Sequence, residues 1–116
     1  MRPVPARLLI LSMFAAPLVA AGEPGAAPGL KTIERLGEVN GQALACGAKE
    51  LSDRARALML EFAPRRPEYG AAFEQATNRG YLAQVRGGAA CPEPGVIALR
   101  LEEVATALRA PDTPGK

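Results

Sequence analysis

The sequence predicts an all-α fold: a small domain of three or four helices with one disulfide and disordered termini. Apolar residues recur at spacings of three and four through residues 30–110, which is the periodicity of amphipathic helices. No stretch there shows the sustained apolar–polar alternation of a half-buried strand, and Ala and Leu outnumber the β-branched residues. Two cysteines, Cys46 and Cys91, are available to staple such a small core.

Residues 1–21 are typical of an export signal. A basic start precedes an apolar run over residues 8–16 that is too short to span a bilayer, and small residues precede a cleavage site predicted after Ala21. An uncleaved N-terminal anchor is the alternative interpretation. We favour cleavage because the apolar run is short. The chain is rich in Ala, Gly, Pro and Arg and poor in Lys, a composition that suggests a GC-rich bacterial genome, so we expect a periplasmic or secreted bacterial protein.

The charge of the mature chain restricts the partners it can bind. Cleavage removes Arg2 and Arg7, two of the 14 basic residues, and leaves as many basic as acidic residues. Proteins that bind nucleic acid or anionic lipid normally present a strong basic field. We therefore expect no nucleic-acid partner. No other segment is apolar enough to span a bilayer, so we expect no stable membrane insertion after signal cleavage.

Residues 22–29, rich in Gly, Pro and Ala, predict a disordered leader, and two apolar stripes follow it. The stripes are Ile33, Leu36, Val39, Ala43 and Cys46, then Leu44, Ala48, Leu51, Ala55, Leu58 and Phe62. They are offset around the helix axis, and the change comes at Asn40 and Gly41. Residues 30–62 are therefore either one bent helix or a short helix followed by a main helix that starts near Asn40. We favour two segments because Asn is a good N-cap.

The second half of the chain predicts two further helical segments. Pro67 suits a first helical turn, whereas residues 78–80, Asn-Arg-Gly, indicate a stop. Residues 81–85 could add one more turn before the Gly87-Gly88 pair. The last helix is expected to begin between residues 92 and 95 and to end near Ala110, before Pro111.

The apolar stripe of that last helix is Ile97, Leu101, Val104 and Leu108. Residues 111–116 predict a flexible tail. The whole helical domain is therefore expected to span residues 30–110.

The cysteine pair predicts a disulfide between Cys46 and Cys91. Two cysteines in an exported domain most simply pair with each other, here closing a loop of 44 intervening residues. A redox or metal site is a weaker interpretation, because there is no Cys-x-x-Cys sequence and no histidine that could complete a zinc site. We expect no metal and no cofactor.

The residue inventory argues against an enzyme. The absence of histidine removes the Ser-His-Asp and Cys-His schemes and the most common general base. Lys49 and Ser52, three residues apart on a helix, are the remaining candidate for a nucleophile and its base. We interpret them instead as part of a solvated face, since no oxyanion donor is implied nearby.

The candidate partner-binding residues are Met59, Leu60, Arg65 and Arg66. Leu60 lies about 200° of helix rotation from Leu58, so the helix end is apolar on opposite sides. Such an end is either sandwiched between neighbouring helices or exposed as a patch, and we favour the sandwich. Arg65 and Arg66 lie in a turn between two prolines, where they are either plain surface charges or a docking point for an acidic partner.

These observations favour an exported soluble protein that is not an enzyme and that binds a protein partner. Its role would be that of an accessory subunit, a chaperone or an assembly factor. The alternative is a carrier of a small ligand or lipid, held in a space between helices lined by Leu51, Leu58, Phe73 and Leu101.

Overall fold

The computed structural model describes residues 27–110, which form four helices and no strand. The helices are α1 (Leu30–Ala45), α2 (Lys49–Phe62), α3 (Pro67–Gly87) and α4 (Pro94–Arg109). The all-helical prediction with one cysteine pair is confirmed. The predicted signal and tail lie outside the described residues, as does the leader as far as residue 26.

The boundary between α1 and α2 differs from the sequence prediction. The break comes at residues 46–48, so the prediction of a main helix starting near Asn40 is wrong. Gly47 adopts the left-handed conformation at φ 72°, and its N–H and that of Ala48 bond back to the carbonyls of Leu44 and Ala43. This pair of bonds ends α1, because only glycine adopts that conformation freely. Leu44 is consequently 41% exposed and does not continue the α2 stripe.

The helix α3 continues through the stop predicted at residues 78–80 and ends at Gly87. Gly88, at φ 75°, takes the left-handed C-cap position there. Gly80 instead lies where α3 crosses α1 closely, and a Cβ atom on it would collide with the backbone carbonyl of Glu38. The residue predicted to end a helix therefore serves close helix packing.

The crossing of α1 and α3 is made by small residues on both helices. A Cβ on Gly37 would lie 2.6 Å from the carbonyl oxygen of Phe73, and one on Gly41 would collide with that of Thr77. Gly37 of α1 lies next to Ala76 of α3, and Gly41 lies next to Tyr81. Both numbers increase together, so the two helices run in the same direction. The spacing of four residues places Gly37 and Gly41 on one face of α1.

The core is built around α1, which packs against each of the other three helices, whereas α3 packs only against α1. Ile33 and Leu36 of α1 are fully buried, and α2 contributes Leu58. The predicted stripe of α4 is buried in full: Ile97, Leu101, Val104 and Leu108. Since α3 does not pack against α4, a groove is left between those two helices.

Cys46 and Cys91 form a disulfide with an S–S distance of 2.01 Å, as predicted. It ties the end of α1 to the segment that connects α3 and α4. No helix in residues 27–110 combines the length and apolar character needed to cross a bilayer.

Candidate functional site

The end of α2 and the start of α3 form a shallow surface depression of about 440 Å³. All four residues predicted to bind a partner line it: Met59 and Leu60 come from α2, and Arg65 and Arg66 from the turn that follows. We call this surface the α2–α3 corner; its lining includes Met59, Leu60, Pro64, Arg65, Arg66 and Gly70.

Leu60 is the apolar residue that the corner exposes most. It is 74% exposed, so the preferred interpretation of a helix end sandwiched on both sides is wrong. The reason lies in the packing of α2, which buries Ala55 and Leu58 on the side that faces α1 and α4, whereas no helix of residues 27–110 covers its opposite side. Leu60 points to that opposite side, while Met59 is half-buried against the core.

The turn between α2 and α3 holds the corner in shape. Ala63 and Arg66 are both extended, and Pro67 occupies the first turn of α3. An extended residue before proline is the sterically preferred conformation, so the two prolines restrict the path of this turn. The positions of Leu60 and the two arginines are therefore set by backbone sterics as well as by packing.

The two arginines of the corner have different surroundings. The Nε of Arg66 lies 3.2 Å from a carboxylate oxygen of Glu68, and its guanidinium lies 5.5 Å from the centre of the Tyr69 ring. Arg65 is exposed and forms no ion pair within residues 27–110. Arg65 is therefore the cation of the corner that remains free to meet an acidic group.

Lys49 and Ser52 do not form a nucleophile–base pair. Ser52 is buried and donates a hydrogen bond of 2.7 Å to Asn40, whereas Lys49 is paired at 2.7 Å with Asp53 on the surface. The hydrogen bond from Lys49 lowers the pKa of Asp53 below its ordinary value. Within residues 27–110, no three His, Cys, Asp or Glu side chains are grouped closely enough to hold a metal ion.

A larger surface feature was not foreseen from the sequence. A groove of about 960 Å³ runs between α3 and α4, with α1 as its base. Its apolar lining residues include Val39, Leu82, Ala83 and Val104. Its charged lining residues include Arg35, Arg86 and Arg100. We call this surface the α3–α4 groove. It exists because the glycine crossing draws α3 towards α1 and away from α4.

One sequence signal could have indicated this geometry. Gly37 and Gly41 share a helix face, and Ala76 and Gly80 repeat the same spacing of small residues on α3. Matching the two pairs would have placed α3 against α1. The distance from α3 to α4 depends on all three helices and cannot be obtained from any one stripe.

The interior space proposed for a small ligand is occupied by side chains. Leu58, Phe73 and Leu101 belong to the buried core, and Leu51 packs against them. The α3–α4 groove is lined by none of these four residues.

Comparison with protein-family models, curated proteins and solved structures found no match to this chain. The structure shows a small helical domain with a disulfide and two candidate surfaces, the apolar and cationic α2–α3 corner and the open α3–α4 groove.

Proposed function

We propose that this chain is an exported, non-enzymatic domain that binds another protein through the α2–α3 corner. It would act as an accessory subunit, chaperone or assembly factor. The observation that carries the proposal is the exposure of Leu60 at the rim of a depression that Arg65 and Arg66 also line. The disulfide and the signal-like residues 1–21 support export to an oxidising compartment.

The corner defines the chemistry of the partner. An apolar side chain of the partner would enter the depression beside Met59, which adapts easily to different shapes. A carboxylate next to that side chain would pair with Arg65. Arg66, already engaged by Glu68 and Tyr69, would mainly support the wall of the depression. This arrangement of an apolar contact with a charged rim is common at protein interfaces.

Site-specific photo-crosslinking tests this proposal in the cells that produce the protein. A photoreactive residue is placed at Leu60 in one variant and at Val85 in a control, since Val85 is 50% exposed on α3 and outside the corner. The proposal predicts one adduct of defined mass from position 60 and none from position 85. Equal labelling from both positions, or an adduct with a second copy of the chain alone, contradicts it.

The second candidate function is transport of a small ligand. Its support is the size of the α3–α4 groove, about 960 Å³, which falls in the range of small-molecule sites. Native mass spectrometry of the protein purified from its source would show a bound molecule at constant stoichiometry. A spectrum of unliganded protein only would contradict the carrier function.

A further inference from the structure

We propose that the α3–α4 groove binds an acidic amphipathic helix of a partner protein, with Arg100 as its main anchor. This inference rests on the proposed protein-binding function, and it adds a second contact surface that shares no lining residue with the α2–α3 corner.

Arg100 is held in position by a chain of hydrogen bonds across the groove. Its Nη1 donates to Oε1 of Gln42 at 2.6 Å, and Nε2 of Gln42 donates to Oε1 of Gln84 at 2.8 Å. The Nε2 of Gln84 in turn donates to the carbonyl oxygen of Ala89 at 2.9 Å. This series of hydrogen bonds therefore joins α4, α1, α3 and the segment after α3, and it sets the orientation of the side-chain amides of Gln42 and Gln84.

The guanidinium of Arg100 keeps donors available for a ligand. Within residues 27–110 it forms no hydrogen bond other than the one to Gln42, and it forms no ion pair. A guanidinium has five N–H donors and binds a carboxylate with two of them. Because it is already hydrogen-bonded to Gln42, Arg100 would lose less conformational entropy on binding such a group than an arginine without a partner would.

The charges around the groove favour an acidic ligand. Arg35 and Arg86 line it from α1 and α3 and form no ion pair within the described residues. Arg79 is already paired with Glu38, at 3.4 Å, which leaves Glu103 as the unpaired carboxylate of the lining. Counting ion pairs among residues 27–110 only, three guanidinium groups without a partner therefore surround the groove against one carboxylate.

The apolar surface favours a helix over a small molecule. Leu82 and Ala83 of α3 contribute the accessible apolar part of the groove, whereas Val39 and Val104, which also line it, are buried. Val96 and Leu99 extend this surface onto α4, each four residues before a groove residue and therefore on the same side of the helix. They are 46% and 64% exposed, and a small molecule inside the groove would leave them in water.

The length of the groove also suits a helix. Its lining on α3 extends from Arg79 to Gly87, which corresponds to about 12 Å at the rise of an α-helix. A helix of two to three turns lying between α3 and α4 would cover the groove and reach Leu99. Its apolar stripe would face Leu82 and Ala83, and its acidic flanks would face Arg86 and Arg100.

A binding titration with a designed peptide tests this inference. The probe is a fluorescein-labelled peptide of about four helical turns with leucines on one face and glutamates on both flanks. The control peptide carries lysine at every glutamate position. Binding to the oxidised protein is measured by fluorescence anisotropy, and the contact surface is mapped by changes in backbone amide resonances.

The inference predicts saturable binding of the acidic peptide alone, with resonance changes at residues 79–87 and 96–104. Arg86→Glu and Arg100→Glu should each weaken binding by about tenfold or more. Arg86 is exposed and forms no side-chain hydrogen bond or ion pair within residues 27–110, so we expect its variant to retain the fold even if Arg100→Glu disturbs the hydrogen-bond chain. Arg109→Glu, the same charge change on α4 outside both surfaces, should have no effect, and Arg65→Glu reports any binding of the peptide at the α2–α3 corner.

Other outcomes overturn the inference. Equal binding of the lysine peptide, or no binding of the acidic one, removes the proposed charge recognition. Loss of binding on Arg65→Glu alone assigns the peptide to the α2–α3 corner and leaves the protein-binding function standing. Binding of dodecanoate in the groove with no binding of the acidic peptide identifies the groove as a site for small anionic amphiphiles.

Discussion

The hydroxyl of Ser52 donates a buried hydrogen bond of 2.7 Å to the side-chain oxygen of Asn40, and so joins α2 to α1. The amide nitrogen of Asn40 donates to the hydroxyl of Thr77 on α3 at 3.1 Å. Because α2 and α3 pack on α1 and not on each other, this polar chain connects the two sides of the fold. Asn40, at 2% exposure, would be costly to bury without both partners.

Ser52→Ala is expected to lower the free energy of unfolding by about 1–3 kcal/mol. The substitution leaves the side-chain oxygen of Asn40 buried without its donor. Urea denaturation measures the change, and Thr106→Ala serves as the control because Thr106 bonds the carbonyl of Glu102 on the exposed side of α4. Equal effects of the two substitutions would show that the buried chain does not contribute to stability.

Gly41→Ala is expected to destabilise the protein by about 1–3 kcal/mol or to prevent folding. The added methyl group would collide with the backbone of Thr77 and Tyr81 and force α1 away from α3. Gly70→Ala is the matched control, since it adds the same methyl group in a helix where nothing lies within 4 Å. That control should be neutral or stabilising by up to about 1 kcal/mol. A stable Gly41→Ala protein would contradict the close crossing.

Removal of the disulfide by Cys46→Ala with Cys91→Ala should cost about 2–4 kcal/mol. The bond links residues 45 positions apart in sequence and restricts the unfolded chain accordingly. The measurement compares melting curves of this double variant and of the wild type with and without reductant. The reduced wild type should melt like the double variant, and reactive thiols in the unreduced protein would contradict the pairing.

Glu102→Gln should lower stability at neutral pH and have less effect in acid. Arg54 donates two hydrogen bonds to Glu102, and this hydrogen bonding lowers the pKa of Glu102 below its ordinary value of 4.5. A carboxylate whose pKa is lowered in the folded state stabilises the fold at pH values above its ordinary pKa. This stabilisation is lost as the pH falls through the lowered pKa. Since the side chains of Arg54 and Glu102 are 40% and 50% exposed and water screens the pair, the difference should stay below about 1 kcal/mol.

Urea denaturation of the wild type and Glu102→Gln at several pH values measures this difference. The two stabilities should converge as the pH falls below 4.5. A difference that persists unchanged in acid would show that the pair acts by packing and not by charge.

The helical class and most helix ends could be predicted because they depend on local sequence. Pro67 begins α3 and Pro94 falls within the predicted start of α4, as expected for prolines in a first turn. The break at Gly47 was missed and Gly80 was wrongly assigned to a helix end, because glycine has two uses. At Gly47 it permits a left-handed turn, and at Gly80 it permits close contact with another helix, and only the position of α1 distinguishes them.

The residues of the α2–α3 corner could be predicted from the sequence, but the shape of this surface could not. Periodicity identified Leu60 as apolar on the side opposite Leu58, but its exposure depends on no helix covering that side of α2. Asn40 was interpreted as a helix cap, because its two hydrogen-bond partners, Ser52 and Thr77, come from elements that sequence alone does not place beside it. The groove depends on the spacing of three helices and was missed for the same reason.

Quantitative affinity capture from the exported fraction of the source cells tests the protein-binding function most directly. The baits are the oxidised wild type, Leu60→Asp and Val85→Asp, each checked for an unchanged melting temperature. We expect the wild type and Val85→Asp to retain one protein at fixed stoichiometry, and Leu60→Asp to retain at least about tenfold less of it. Equal retention by all three baits, no retained protein, or unfolding of Leu60→Asp would contradict a binding site at the α2–α3 corner.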